Sequence, residues 1–147
     1  MSLDRAQLVD DLELVRATVA WKCAGLTEEQ ARWPGEGVTV AGILWHLTLV
    51  ENTAFDVVVT GLPDGWAKRL EAGREAALLV GLDLPLEELL SDYRDNAELC
   101  REAVAARSFD DPVGFDGDRL LTVQSVVEYL LTETSRHLEL LRELTGD

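Results

Sequence analysis

The stretch VVEYLLTETSRHLELLREL (residues 126–144) decides the fold class, because it has the pattern of a helix with one face against a core. Its inner stripe steps by four, three, four, three and four residues, as one face of a helix does. The stripe consists of Val126, Leu130, Glu133, His137, Leu140 and Leu144. Four of these side chains are aliphatic, as expected of a buried seam. The other two are a carboxylate and an imidazole one turn apart, and they need a chemical explanation.

The rest of the chain predicts three more long helices and no strand. Apolar residues at helical spacing, with capping residues before them and Gly or Pro after them, place these helices at about residues 3–24, 40–60 and 85–106. Segment 62–84 has no steady period, and segment 108–118 is predicted as a loop because Asp, Gly and Pro dominate it. Four helices of this length predict an all-α four-helix bundle, and an α/β fold is set aside for want of strands.

The composition excludes several classes of partner. The 147 residues carry 28 Asp and Glu against 13 Lys and Arg, a net charge of −15. A surface this acidic repels phosphate backbones and anionic lipids, so we expect no nucleic acid and no membrane partner. We find no signal-peptide pattern and no apolar run of the roughly 18 residues that a membrane span needs. The length predicts one domain over residues 1–147, and two isolated cysteines, Cys23 and Cys100, suggest a cytoplasmic location with free, buried thiols.

Glu133 and His137 can converge on a single ion, because the Cβ atoms of residues four apart on a helix lie about 5–6 Å apart. The one other histidine, His46, lies on the apolar stripe of the second long helix, between Ile43 and Val50. If the second and fourth long helices pack antiparallel, His46 comes to the level of the other two. A cation would then offset the several kcal/mol that an unpaired buried carboxylate costs. We therefore predict a divalent-metal site.

The ligand set leaves the metal open. Three protein ligands with free positions are typical of catalytic zinc, and two imidazoles with one carboxylate also suit iron(II). We expect Zn²⁺, with Ni²⁺ or Fe²⁺ as alternatives. Two plainer interpretations stay open as well. A Glu and a His four apart are often a solvated salt-bridge pair, and a core histidine often binds a carbonyl.

Two motifs stand out together: GVTVAGILWHLTLVE (37–51) and ETSRH (133–137). With GLTEEQARWP (25–34) and the final LLREL, they resemble the DinB-like superfamily over nearly the whole chain, closest to its actinobacterial, mycothiol-associated branch. The resemblance implies a bundle of up-down-down-up order. It also implies a metal held by His46, Glu133 and His137, and the Glu is similar to the pattern of mycothiol-dependent maleylpyruvate isomerases.

The resemblance further implies thiol chemistry at zinc. Members transfer a low-molecular-weight thiol, mycothiol or bacillithiol, to an electrophilic small molecule. The isomerases' own activity is not expected, because the chain lacks the additional C-terminal domain that some of them have. Leu140 stands where many relatives carry a further His, which leaves the substrate open. The alternative function is a non-catalytic metal- or ligand-binding protein, such as a self-protection protein, on the same bundle.

Several other residues have two interpretations each. We interpret Cys23 and Cys100 as packing residues, and Trp45 as packed against a neighbouring helix rather than in a pocket. Glu51 is interpreted as a surface charge, with a supporting role near the metal as the alternative. Arg136 either binds an anionic substrate or forms a salt bridge at the surface. Because relatives commonly pair, we also expect a homodimer, with the Trp45 side of the second long helix as a candidate surface.

Overall fold

The computed structural model describes residues 4–34, 37–62 and 83–146. In that part of the chain, the elements are α1 (Arg5–Ala24), α2 (Glu28–Arg32), α3 (Val40–Thr60), α4 (Leu86–Ala105), β1 (Pro112–Asp116), β2 (Arg119–Thr122) and α5 (Val123–Thr145). The four predicted long helices are α1, α3, α4 and α5, so the all-α class is confirmed. Most of segment 62–84, for which no period was found, lies outside the described residues.

The helix ends lie close to where capping chemistry predicted them. The Thr39 hydroxyl accepts a hydrogen bond from the Gly42 amide at 3.0 Å and begins α3. Thr122 begins α5 in the same way. Gly61 and Gly146 end these two helices with φ of 91° and 80°, values that favour glycine.

The buried residues form two clusters, one at each end of the bundle. We call the first the hairpin-end cluster; it includes Leu8, Leu12, Val50, Val57, Cys100, Val104, Val113, Leu121, Val126 and Leu130. We call the second the far-end cluster; it includes Val19, Cys23, Ile43, Leu44, Leu86, Leu89, Tyr93, Leu138 and Leu141. Each long helix contributes residues to both clusters, so all four helices extend from one end of the bundle to the other.

Membership in these clusters gives the direction of each helix. Helices α1 and α5 begin in the hairpin-end cluster and finish in the far-end cluster, whereas α3 and α4 do the reverse. The order is therefore up-down-down-up, as the resemblance implied. Helices α3 and α5 consequently run antiparallel, which is the condition that the predicted metal site requires. None of the helices in the described ranges is apolar enough over sufficient length to cross a membrane.

A β-hairpin replaces part of the predicted loop at 108–118. Strands β1 and β2 pair antiparallel, with Asp116 opposite Arg119, so that Gly117 and Asp118 form a two-residue turn. Gly117 has φ of 62°, and a Gly-Asp pair between two short strands is a recognised hairpin signal. The abundance of Asp and Gly was correctly a turn signal, but assigning the whole segment to a loop was wrong. The hairpin packs Val113 and Leu121 onto the bundle end.

Candidate metal centre

Helices α3 and α5 bring the three predicted ligands to one level of the core. His46 lies in the second turn of α3, and Glu133 and His137 lie on successive turns of α5. All three are buried, with 2%, 4% and 1% of their surface exposed. The interpretation of Glu133 and His137 as a solvated salt-bridge pair is therefore wrong.

The three side chains are close enough to share an ion. The two imidazole centroids lie 4.5 Å apart, and His46 Nε2 lies 3.7 Å from Glu133 Oε1. One ligand atom from each residue lies within 4.8 Å of the others. Three such atoms have a common point within about 2.8 Å of each (4.8 Å divided by √3), against coordination bonds of about 2.0–2.2 Å. A contraction of well under 1 Å would therefore bring them to coordination distance.

The hydrogen bonds leave both imidazoles with a ring nitrogen suited to a cation. His137 Nδ1 lies 2.7 Å from the Glu133 carbonyl oxygen, which can only accept, so Nδ1 donates and Nε2 carries the lone pair. His46 Nε2 is buried and has no hydrogen-bond partner among the described residues. Buried polar atoms are normally paired, and an unpaired nitrogen beside a carboxylate and a second imidazole is suited to binding a cation.

The protonation of His137 is compatible with ligation. Burial lowers its pKa from the ordinary value, and the charge of His46 acts in the same direction, while the Glu133 carbonyl and carboxylate oppose them. The net lowering favours the neutral imidazole at pH 7, which is the form that binds metals. The carbonyl-bound core histidine that was kept as an alternative is thus present at His137, and it fixes the tautomer that a metal needs.

The buried face of α5 differs slightly from the predicted stripe. After His137 it continues through Leu138 and Leu141, both at most 5% exposed, while Leu140 and Leu144 are only partly buried. The 3.6-residue period drifts off a strict four-three alternation over this length, which accounts for the difference. Leu140 consequently lies at the margin of the core rather than on the line of the three candidate ligands.

The chain also matches a known protein family. The profile described as "Mycothiol-S-transferase" matches residues 7–146. The chain belongs to the mycothiol S-transferase family. No curated protein and no solved structure matches it. Membership of this family implies a small-molecule thiol as substrate. It also agrees with the DinB-like, mycothiol-associated resemblance of the sequence, which is thereby confirmed.

This family member has a second buried polar cluster that the sequence analysis missed. Arg16 of α1 donates to both carboxylate oxygens of Glu51 on α3, at 2.8 Å from Nε and 2.5 Å from Nη2. The two residues are 5% and 1% exposed, so the interpretation of Glu51 as a surface charge is wrong. The pair joins two helices within the core. Arg16 also binds the partly exposed Glu13 at 2.8 Å.

Signals for this pair are present in the sequence. Arg16 follows Leu12 by four and precedes Val19 by three, so it occupies a stripe position of α1, just as Glu133 does in α5. Glu51 likewise occupies a stripe position of α3, four after Leu47 and three before Ala54, whereas Asp56, the other acidic residue of this helix, is exposed. Two opposite charges in two apolar stripes indicate an ion pair.

The family uses a small-molecule thiol, and the two cysteine thiols of the chain itself are poorly suited to act as nucleophiles. Both Cys23 and Cys100 are free and fully buried, as predicted. Burial raises the pKa of each to about 12, so neither forms a thiolate near neutral pH. Their interpretation as packing residues agrees with this environment.

A groove lies between α3, the hairpin and α5. It has a volume of about 330 Å³ and an apolar floor that includes Val57, Val113 and Val126. Its lining also includes Thr132, which directly precedes Glu133 in the chain. None of the three candidate ligands lines the groove. A space of this size matches the lower end of small-molecule pockets.

Proposed function

We propose that the chain is a metal-dependent thiol transferase, in which His46, Glu133 and His137 hold one divalent ion, expected to be Zn²⁺. The small thiol is expected to be mycothiol, and the acceptor an electrophilic small molecule. The observation that carries the proposal is the buried cluster of two imidazoles and one carboxylate in a member of the mycothiol S-transferase family. Ni²⁺ and Fe²⁺ remain the alternatives, because the same donors accept them.

In the proposed reaction, the bound cation, its three ligands and the groove would each have a separate role. A divalent cation at this position would stabilise the thiolate form of a small thiol at neutral pH. The two imidazoles and the carboxylate contribute three ligands, which leaves at least one position for the thiol sulfur. Burial keeps water from the three ligands, and the groove between α3, the hairpin and α5 offers a place for an apolar acceptor. No protein thiol or hydroxyl is needed as nucleophile.

A conjugation assay tests the proposal. Zn²⁺-loaded protein is incubated with mycothiol and monochlorobimane, so that the thiol sulfur displaces chloride and the thiol proton goes to solvent. We expect conjugation faster than without protein, and its loss when a chelator removes the metal. Glu133→Gln should lose activity in proportion to the metal it loses, because the amide is a weaker ligand than the carboxylate.

The matched control is Glu139→Gln, which makes the same change on the same helix. Glu139 is 68% exposed, and its variant should keep both the metal and the activity of the wild type. A wild type with one bound ion per chain and no conjugation across several electrophiles would overturn the proposed activity. That outcome would favour the metal-binding or self-protection alternative.

We also propose a cytoplasmic homodimer. Trp45 packs partly buried against the far-end cluster, as predicted, and Leu49 beyond it on α3 is 37% exposed. This side of α3 therefore has apolar surface for a second copy. Light scattering at micromolar concentration should give twice the mass of the chain, whereas a monomeric mass would contradict the dimer.

A further inference from the structure

The Glu133 carboxylate is divided between two environments. Its Oε2 atom lies 2.8 Å from Nη2 of Arg136, one turn later on α5. Its Oε1 atom faces the imidazoles, 3.7 Å from His46 Nε2. The Arg136 side chain is 54% exposed and the Glu133 side chain only 6%, so the ion pair extends from the helix surface to the core.

We propose that Arg136 is a positioning residue, which holds Oε2 so that Glu133 offers Oε1 alone to the cation. This inference rests on the proposed metal site. The last side-chain torsion of a glutamate has broad minima, which gives its carboxylate a range of orientations. A guanidinium bound to one oxygen removes this freedom before the ion binds. Groups that bind the ligands of a metal commonly set its affinity in this way.

The comparison with Arg142 separates this role from an ordinary surface ion pair. Arg142 binds Glu139 at 2.7 Å with the same three-residue spacing on the same helix. Both partners there are exposed, at 42% and 68%, and such pairs contribute little because water screens them. In the Arg136 pair the carboxylate is buried, so the interaction is screened much less. The two pairs have the same spacing and the same charged groups. They differ in the surroundings of the carboxylate, which is buried in the Arg136 pair and exposed in the Arg142 pair.

Zn²⁺ affinity, measured by competition with a chelator, tests the role without reference to activity. We expect Arg136→Gln to raise the Kd for Zn²⁺ by about 10- to 100-fold, the usual effect of losing a partner of a metal ligand. Arg142→Gln, the matched control, should leave the Kd unchanged. Arg136→Lys should recover part of the loss, since lysine restores the charge but not the planar donor group. Without metal, the melting temperature of Arg142→Gln should stay within a few degrees of wild type, whereas that of Arg136→Gln should fall further, because the buried Glu133 carboxylate loses a cationic partner.

The outcomes distinguish this inference from the metal site itself. Wild type that binds Zn²⁺ through His46, together with an Arg136→Gln variant of equal affinity, would overturn the positioning role alone. Equal weakening in Arg136→Gln and Arg142→Gln would overturn it too, since a general effect of surface charge would then explain both. Wild-type protein that binds no Zn²⁺ would overturn the metal site and the role of Arg136 together.

Discussion

Glu51→Ala is expected to lower the free energy of unfolding by about 3–5 kcal/mol, the range found when one partner of a buried ion pair is removed. The change leaves the Arg16 guanidinium in the core, 5% exposed, without the carboxylate that binds it through two nitrogens. Burial opposes the charge of Arg16, but the hydrogen bonds and charge of Glu51 outweigh it and raise the pKa of Arg16. A guanidinium stays charged in proteins in any case, so the Glu51→Ala variant has a desolvated charge that has lost its buried carboxylate partner.

Glu13→Ala is the matched control, because Glu13 binds the same guanidinium at 2.8 Å. Its side chain is 34% exposed, so we expect a loss of at most about 1 kcal/mol. Tyr93→Phe is a second control. It removes a buried hydroxyl that has no hydrogen-bond partner among the described residues, and stability should not fall. Urea unfolding measures all three variants. A Glu51→Ala variant that loses no more than Glu13→Ala would contradict the importance of the buried pair.

His137→Ala is expected to abolish stabilisation by metal. A ligand that binds only the folded chain stabilises it by about 2.7 kcal/mol at 100 times its Kd. The chain has only two histidines, so no other imidazole can replace the one removed. Thermal unfolding with and without Zn²⁺ should show an increase in melting temperature for wild type and none for the variant. Equal increases for both proteins would place the bound metal elsewhere.

Much of the bundle was predictable because the signals that define each helix lie close together in the sequence. The stripe of α5, the caps at Thr39 and Thr122, and the terminating glycines each depend on residues within a few positions. The candidate centre was predictable for a related reason. Glu133 and His137 interrupt an otherwise aliphatic seam, and His46 interrupts another, so the sequence alone predicts these polar side chains in the core. That the chain is one domain stays a prediction.

What was missed depends on contacts between distant residues. Arg16 and Glu51 are 35 positions apart, and either charge alone is more often solvated than buried. Only their pairing across α1 and α3 makes burial favourable. The hairpin was missed because its strands are five and four residues long, too short for a clear alternation, and they gain stability by packing on the bundle end. The same limit applies to Arg136, whose partner became clear only from its contact with Glu133.

Metal analysis of protein purified without an affinity tag tests the central claim most directly. After equilibration with Zn²⁺ and removal of the excess, we expect about one ion per chain in the wild type, as a three-ligand site requires. His46→Ala removes the one ligand that α3 contributes, and it should retain less than about a tenth of that content. A wild type without bound metal, or a His46→Ala variant with the metal content of the wild type, would contradict the assignment of the site.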